Sequence, residues 1–277
     1  MSTALGVYHG PFGRVALYHL NRLMTTHAHR EGHLTFLVSG QESGMVVRDK
    51  THILGNALAV ACSPWEPHNF VPGDTENGSL FLVLYIKPVW FLEVARSVHA
   101  GLRFGGNIIE VTPHIHRWVH RISGLLLEGE TTDLFDGYLY ELTQECFDQS
   151  WQWSEAADPL LMQTSSFSDF RVRKSIKLMR EQLGNDFLLD EIAREAGLSR
   201  PHFFKLFRRQ TGITPNLYMN TLRMEKAIDD LTIGNRTVTD IGFDLGFSSQ
   251  ASFTRFFCSN VGIAPTDYRR VAHIGAA

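Results

Sequence analysis

At 277 residues and a net charge of −3, the chain has room for one large domain or two ordinary ones. Its hydrophobic share of 44% and aromatic share of 11% belong to a globular protein with a sizeable core, and no apolar run approaches the roughly 20 residues that span a bilayer. Three widely spaced cysteines, Cys62, Cys146 and Cys258, exclude a disulfide framework and suit reduced thiols in a cytoplasmic protein.

The opening MSTALGVYHGPFGR has no basic segment leading into an apolar one, so no secretory signal is expected. Residues 7 to about 88 read as short strands. HLTFLVSG, MVVRD, NALAVAC and SLFLVLYI are β-rich runs separated by turn-formers such as Ser39-Gly40, Gly55-Asn56 and Pro72-Gly73-Asp74. From about 90 to 150 the pattern is helical. Thr112-Pro113 is a helix start, a capping residue followed by proline at the first position, and runs 112–127 and 134–150 predict a helical hairpin. Its apolar residues, Trp118, Ile122, Leu125, Leu139, Leu142 and Phe147, exceed what the flank of a small barrel needs to bury, which suits either self-association as a homodimer or packing on the barrel itself. His116 and His120 lie at i and i+4, a spacing that can ligate a metal but more often belongs to a solvated helix face.

Residues 154–168, rich in Ser and Ala, read as a linker between a domain at 1–153 and one at 169–277. The charge divides the same way. From Ser165 onward 16 Lys and Arg face 12 Asp and Glu, a net of +4, which leaves −7 for the rest; of the 13 histidines only His202 and His273 lie in this part. A basic C-terminal half is the footprint expected of a nucleic-acid partner.

That half contains an internal repeat. DEIAREAGLSRPHFFKLFRRQTGITPNLY aligns with TDIGFDLGFSSQASFTRFFCSNVGIAPTDY. Ile192 and Gly197 match Ile241 and Gly246. After one extra residue, Ser199, Phe203, Phe207, Gly212, Ile213, Pro215 and Tyr218 match Ser249, Phe253, Phe257, Gly262, Ile263, Pro265 and Tyr268. Each copy predicts a short helix, a glycine turn and a second helix that buries its phenylalanines at i and i+4, the helix-turn-helix pattern. The outer face then carries Arg200, His202 and Lys205 in copy one and Gln250, Thr254 and Arg255 in copy two. Arg and Gln suit guanine and adenine edges in a major groove. Between the copies, PNLYMNTLRMEKAIDDL predicts a helix with Leu217, Met224, Ile228 and Leu231 on one face. Its length suits two recognition helices about one DNA turn (roughly 34 Å) apart.

The two-copy unit over residues 165–270 resembles the DNA-binding domain of AraC/XylS-type transcriptional regulators, in GLSRPHFFKLFRRQTGITPNLY and GFSSQASFTRFFCSNVGIAPTDYRR. The resemblance implies DNA contacts from Arg200, Pro201, Phe204 and Lys205 in copy one and from Ser249, Gln250, Thr254 and Arg255 in copy two. It implies a partner in double-stranded promoter DNA and a contact with RNA polymerase where the protein acts as an activator. Gly242, where such proteins usually have alanine, is expected to loosen the first helix of copy two.

Many members of that family carry a cupin-type β-barrel in front. THAHREGHLTFLVSG resembles the first cupin motif, with His27, His29 and His33 ahead of Gly40 and histidine in place of the usual glutamate; Pro64-Trp65-Glu66-Pro67-His68 is a looser version of the second. On an unbroken strand, odd-numbered positions 27, 29 and 33 share the lumen, joined by His68 from a neighbour and rimmed by Arg30, Glu31, Trp65 and Glu66. Imidazoles at this density suit a divalent Zn, Ni, Fe or Cu ion. The alternatives are a metal-free pocket for a small-molecule effector lined by His27, His29, His33, Trp65 and His68, and a purely structural role; the resemblance implies that regulatory cupins commonly lack metal.

The expected architecture is therefore an N-terminal cupin-like β-barrel (about 7–88) with a helical hairpin (about 90–150), an α+β domain. An all-α domain of two helix-turn-helix units joined by a long helix follows. The expected function is an effector-sensing, DNA-binding regulator and not an enzyme. A metal-dependent cupin oxygenase or isomerase fused to a DNA-localising module is the competing possibility.

Overall fold

The computed structural model describes residues 2–90, 103–129, 133–152, 169–184 and 189–274. The expected linker 154–168 lies outside the described residues. The chain divides into two compact units, Met1–Met162 with Phe257–Ala277, and Gln163–Phe256.

The first unit is built on two sheets. Its strands are β1 (Thr3–Gly10), β2 (Gly13–Leu20), β3 (Gly32–Ser39), β4 (Ser43–Val47), β5 (Lys50–Leu54), β6 (Leu58–Cys62), β7 (His68–Val71), β8 (Ser79–Ile86), β9 (Ile108–Glu110) and β10 (Ala272–Ile274). The larger sheet runs β10-β1-β2-β8-β3-β6-β9 and the smaller β5-β4-β7. Strand β8 is central, antiparallel to β2 from Gly13↔Ile86 to Leu20↔Ser79 and to β3 from Gly32↔Ile86. Both its faces are covered, which is why SLFLVLYI reads as an almost continuous apolar run.

Because side chains alternate along a strand, the two faces of the large sheet carry different chemistry. Val15, Leu17, Leu34, Phe36, Leu82 and Leu84 share a core with helix α1 (Pro113–Glu128), through Ile115, Val119 and Ile122, and helix α2 (Asp133–Gln152), through Phe135, Leu139 and Leu142. Helix α1 starts where Thr112 Oγ1 accepts from the Ile115 N–H at 3.2 Å, the cap that the Thr-Pro pair predicts. Ile122, Leu125, Leu139, Leu142 and Phe147 are all buried within this one chain. These residues therefore take the second of the two expected places, packed with the sheet.

Two strands stand where helix was expected. Ile108–Glu110 pairs with the edge strand β6, and Ala272–Ile274 runs parallel to β1. Three residues carry too little periodicity to declare themselves; each is recruited by an open sheet edge.

The second unit is helical: α3 (Phe170–Glu181), α4 (Leu189–Glu195), α5 (Arg200–Thr211), α6 (Pro215–Ile233), α7 (Val238–Asp244) and the first part of α8 (Gln250–Val261). The end of α8 and helix α9 (Pro265–Val271) belong to the first unit. The 19-residue α6 is about 28 Å long at 1.5 Å per residue. It buries Met224, Ile228 and Leu231 as the spacing predicts, but Leu217 is only half-buried; Tyr218, Met219 and Leu222 take its place in the core. Among the described residues no helix is long and apolar enough to cross a membrane.

Candidate DNA-binding face and buried histidine cluster

The two repeat copies fold alike. Gly197 turns α4 into α5 at φ 73° and Gly246 turns α7 into α8 at φ 82°, left-handed conformations that glycine adopts without a steric penalty. Phe203, Phe207, Phe253 and Phe257 are fully buried. Phe207 meets Tyr218 edge to face at 5.6 Å, and Phe257 meets Tyr268 at 5.7 Å. A polar contact repeats as well, at positions equivalent under the same alignment. Arg200 Nη1 pairs with Asp190 Oδ1 at 2.8 Å, and Thr239 Oγ1 donates to Gln250 Oε1 at 2.7 Å. In both copies the first residue of the second helix is tied back to the first helix.

Of the side chains expected to touch DNA, Arg200, Pro201, Lys205, Gln250 and Arg255 are exposed, while Phe204, Ser249 and Thr254 are half-buried. Ser249 Oγ accepts from the Ser252 N–H at 3.2 Å, so its hydroxyl caps α8. Its counterpart in copy one, Ser199, stands at the same position before α5 and makes no such bond. Arg208 and Arg209, which the spacing argument did not single out, are exposed in the last turn of α5 and widen its basic face. Gly242 lies within α7 where that helix meets α8. A Cβ there would lie 2.9 Å from Phe253 Cβ, so the missing methyl lets the two helices of copy two close on each other.

The first unit gathers the histidines. His27, His29, His33 and His68 are all buried, with ring centroids 4.5 Å apart for His27–His68 and His33–His68, 4.9 Å for His27–His29 and 5.1 Å for His29–His68. The route differs from the expected one. β3 begins only at Gly32, and His27 sits in an isolated bridge with His68. The chain between leaves the strand, so the rings converge through a bend and not through strict alternation.

Neighbouring residues divide sharply in role. Trp65, half-buried, holds φ 63°, a strained conformation for a bulky residue, and its N–H donates to His29 O at 2.7 Å. The Glu66 carboxylate turns elsewhere, to the Ser63 N–H, Asn107 Nδ2 and Arg48 Nε, each at 2.9 Å. Arg30 is exposed and Glu31 half-buried.

Strand register adds residues that sequence spacing cannot find. Tyr85 lies opposite Arg14 on one side and His33 on the other, and His33 lies opposite Cys62. Arg14, Tyr85, His33 and Cys62 thus form one row across four strands, on the face away from α1 and α2. The Arg14 guanidinium stacks 3.7 Å above the Tyr85 ring and donates to Tyr268 Oη at 3.1 Å. Burial, then His27 and Arg14, holds His33 down at about 3. Burial also lowers His27, and burial with the neighbouring imidazoles holds His29 and His68 well below the usual range. All four shifts favour the neutral imidazole over the charged one.

A family model described as a helix-turn-helix domain matches residues 192–271. The Tn10 TetD protein of Escherichia coli is 35% identical over 92 residues, 33% of this chain and 67% of that protein. The chain belongs to the AraC-type transcriptional regulators. An uncharacterized HTH-type transcriptional regulator of Staphylococcus aureus is 34% identical over 105 residues, 38% of this chain but only 14% of that longer protein. ToxT of Vibrio cholerae, solved in an apo form and bound to an unsaturated fatty acid, has the same fold at TM-scores of 0.57. Those structures are 14% and 15% identical and cover 93% of this chain and 96% and 94% of their own. As an AraC-type regulator the chain binds DNA to control transcription. The match, at 192–271, spans α4 through α9, the repeat itself; the sheet-rich region precedes it, as it does in the order read from the sequence.

Proposed function

We propose that this regulator engages double-stranded promoter DNA with the outer faces of α5 and α8, and that the interior of its first unit receives a small-molecule effector. The repeated helix-turn-helix geometry, tied down by the same contacts in both copies, carries the first half. Arg200, Lys205, Gln250 and Arg255 are the exposed side chains suited to base edges and phosphates. The second half is supported by the row of guanidinium, phenol and imidazole groups facing the inside of the sheet unit, and by the fold shared with a protein solved with an unsaturated fatty acid bound. His27, His29, His33, His68 and Trp65 are the proposed lining. The protein works beside its DNA in the cytoplasm, as a homodimer at paired sites, with a contact to RNA polymerase where it activates.

The test begins with selection of binding sites from random duplexes by the full chain. Arg255→Ala then weakens the selected site by about 1–3 kcal/mol if Arg255 makes a bidentate base contact, and leaves random DNA nearly unaffected. An equal loss on both kinds of DNA assigns Arg255 to phosphate. An effector acts only through its differential affinity for two states, so a compound that raises the thermal midpoint yet leaves operator affinity and transcript level unchanged overturns the sensing half.

A further inference from the structure

The histidine cluster is built as metal-ligating histidines are. His27 Nδ1 lies 2.8 Å from the Thr25 carbonyl and His68 Nδ1 lies 2.7 Å from the Glu66 carbonyl. A carbonyl can only accept, so both rings carry their proton on Nδ1 and turn a bare Nε2 lone pair inward. That is the tautomer and the outer-shell bond found behind metal-ligating histidines. His68 Nε2 and His29 Nε2 are buried with no hydrogen-bond partner, and a buried polar atom left unpaired costs about 1–3 kcal/mol. One donor atom from each of His27, His29 and His68 lies within 4.8 Å of the others. Nitrogens around a tetrahedral zinc at about 2.1 Å stand about 3.4 Å apart, so small ring rotations close the set.

We propose that His27, His29 and His68 bind one divalent transition-metal ion of the zinc class through their Nε2 atoms. A ring that carries its proton on Nδ1, as the Thr25 and Glu66 carbonyls require of His27 and His68, ligates through Nε2 without losing a proton. Three protein donors leave a fourth position open to an exogenous ligand. A second group, His33, Cys62 and His68, shares one residue with the first. It is the weaker candidate, because His33 Nε2 is already hydrogen-bonded with Thr35 Oγ1 at 2.9 Å and the Cys62 thiol donates to Met45 Sδ at 3.8 Å.

The site also has a route outward. The carbonyl that fixes the His27 ring belongs to Thr25, whose N–H and Oγ1 both donate to the Ser259 carbonyl, at 2.8 and 3.0 Å. Ser259 lies in the last turn of α8, in the part that belongs to the first unit. An ion that pins His27 steadies that end of the helix. This regulatory consequence, and not the binding itself, rests on the sensing function proposed above.

The full chain, stripped with a chelator and dialysed, is titrated with Zn²⁺ against a chromophoric competitor. About one ion per chain is expected, with a rise in the thermal midpoint. His29→Gln weakens binding by more than about 100-fold, since loss of outer-shell partners alone costs 10–100-fold. His120→Gln, on the exposed His116–His120 pair, and Cys62→Ser leave binding unchanged. Substitution of the unmodified protein with Co²⁺ gives a spectrum without thiolate charge transfer, a readout that stands even if a variant fails to fold. Substoichiometric zinc with no thermal shift overturns the proposal. So does a thiolate band, or loss of binding in Cys62→Ser with retention in His29→Gln. If one ion binds through these histidines while operator affinity stays the same with and without it, the site stands and the sensing function alone fails.

Discussion

Tyr268 shows how much one hydroxyl can organise. Arg14 can only donate, so the phenol oxygen accepts from it and is free to give its own proton to His9 Nε2, 2.8 Å away. Burial, then Arg14 and Lys87, holds His9 down at about 3, which favours the neutral ring, the form with a nitrogen able to accept. Among the described residues no carboxylate forms an ion pair with Arg14; aromatic rings and this hydroxyl stand in for one. Tyr268→Phe removes the hydroxyl to which the buried Arg14 donates and is expected to cost about 1–3 kcal/mol, read as a lower urea midpoint at unchanged slope. A loss under about 0.5 kcal/mol would mean that water replaces the hydroxyl. None of this was legible in the sequence. Arg14 and Tyr268 are 254 positions apart, and the row that joins Arg14 to His33 exists only once strand register is set.

Among whole elements, what could be read depended on length. The hairpin α1–α2, the rod α6 and both helix-turn-helix copies declared themselves through caps, glycines and 3.6-residue spacing. The strands β9 and β10 did not, because their order comes from an available edge. The histidine pattern was legible as a cluster, although the bend between His27 and Gly32 replaced the straight strand it implied. Gly242 is the sharpest departure. It looked like a weak point in α7 and is instead the place where α7 meets Phe253. Gly242→Ala gains up to about 1 kcal/mol in helix propensity but drives a methyl against a side-chain Cβ, at about 1–3 kcal/mol. Net destabilisation of about 1 kcal/mol is expected by thermal melting; a stabilised variant would show that Phe253 has room to withdraw.

For the molecule as a whole, the repeat sets the scale of the DNA it reads. Two recognition helices joined by a 19-residue rod predict protection of two major-groove segments about 10 base pairs apart on one side of the duplex. Methylation interference on the selected site checks this, and a single protected segment would mean that only one copy engages. Affinity should also fall with salt in proportion to the phosphates neutralised, with a slope near −0.9 per contact.

The two copies of the repeat differ in who completes them. In copy one, the tyrosine after the second helix accepts from Arg180 of α3, a helix next to it in the chain. In copy two, the equivalent tyrosine accepts from Arg14, in a strand near the other terminus. A duplicated module has kept its tyrosine and exchanged the neighbour that answers it. A fragment cut to begin at residue 169 would therefore keep the Arg180 contact of copy one and lose the Arg14 contact of copy two, so its shortfall would be felt in α9 before anything happened to α5.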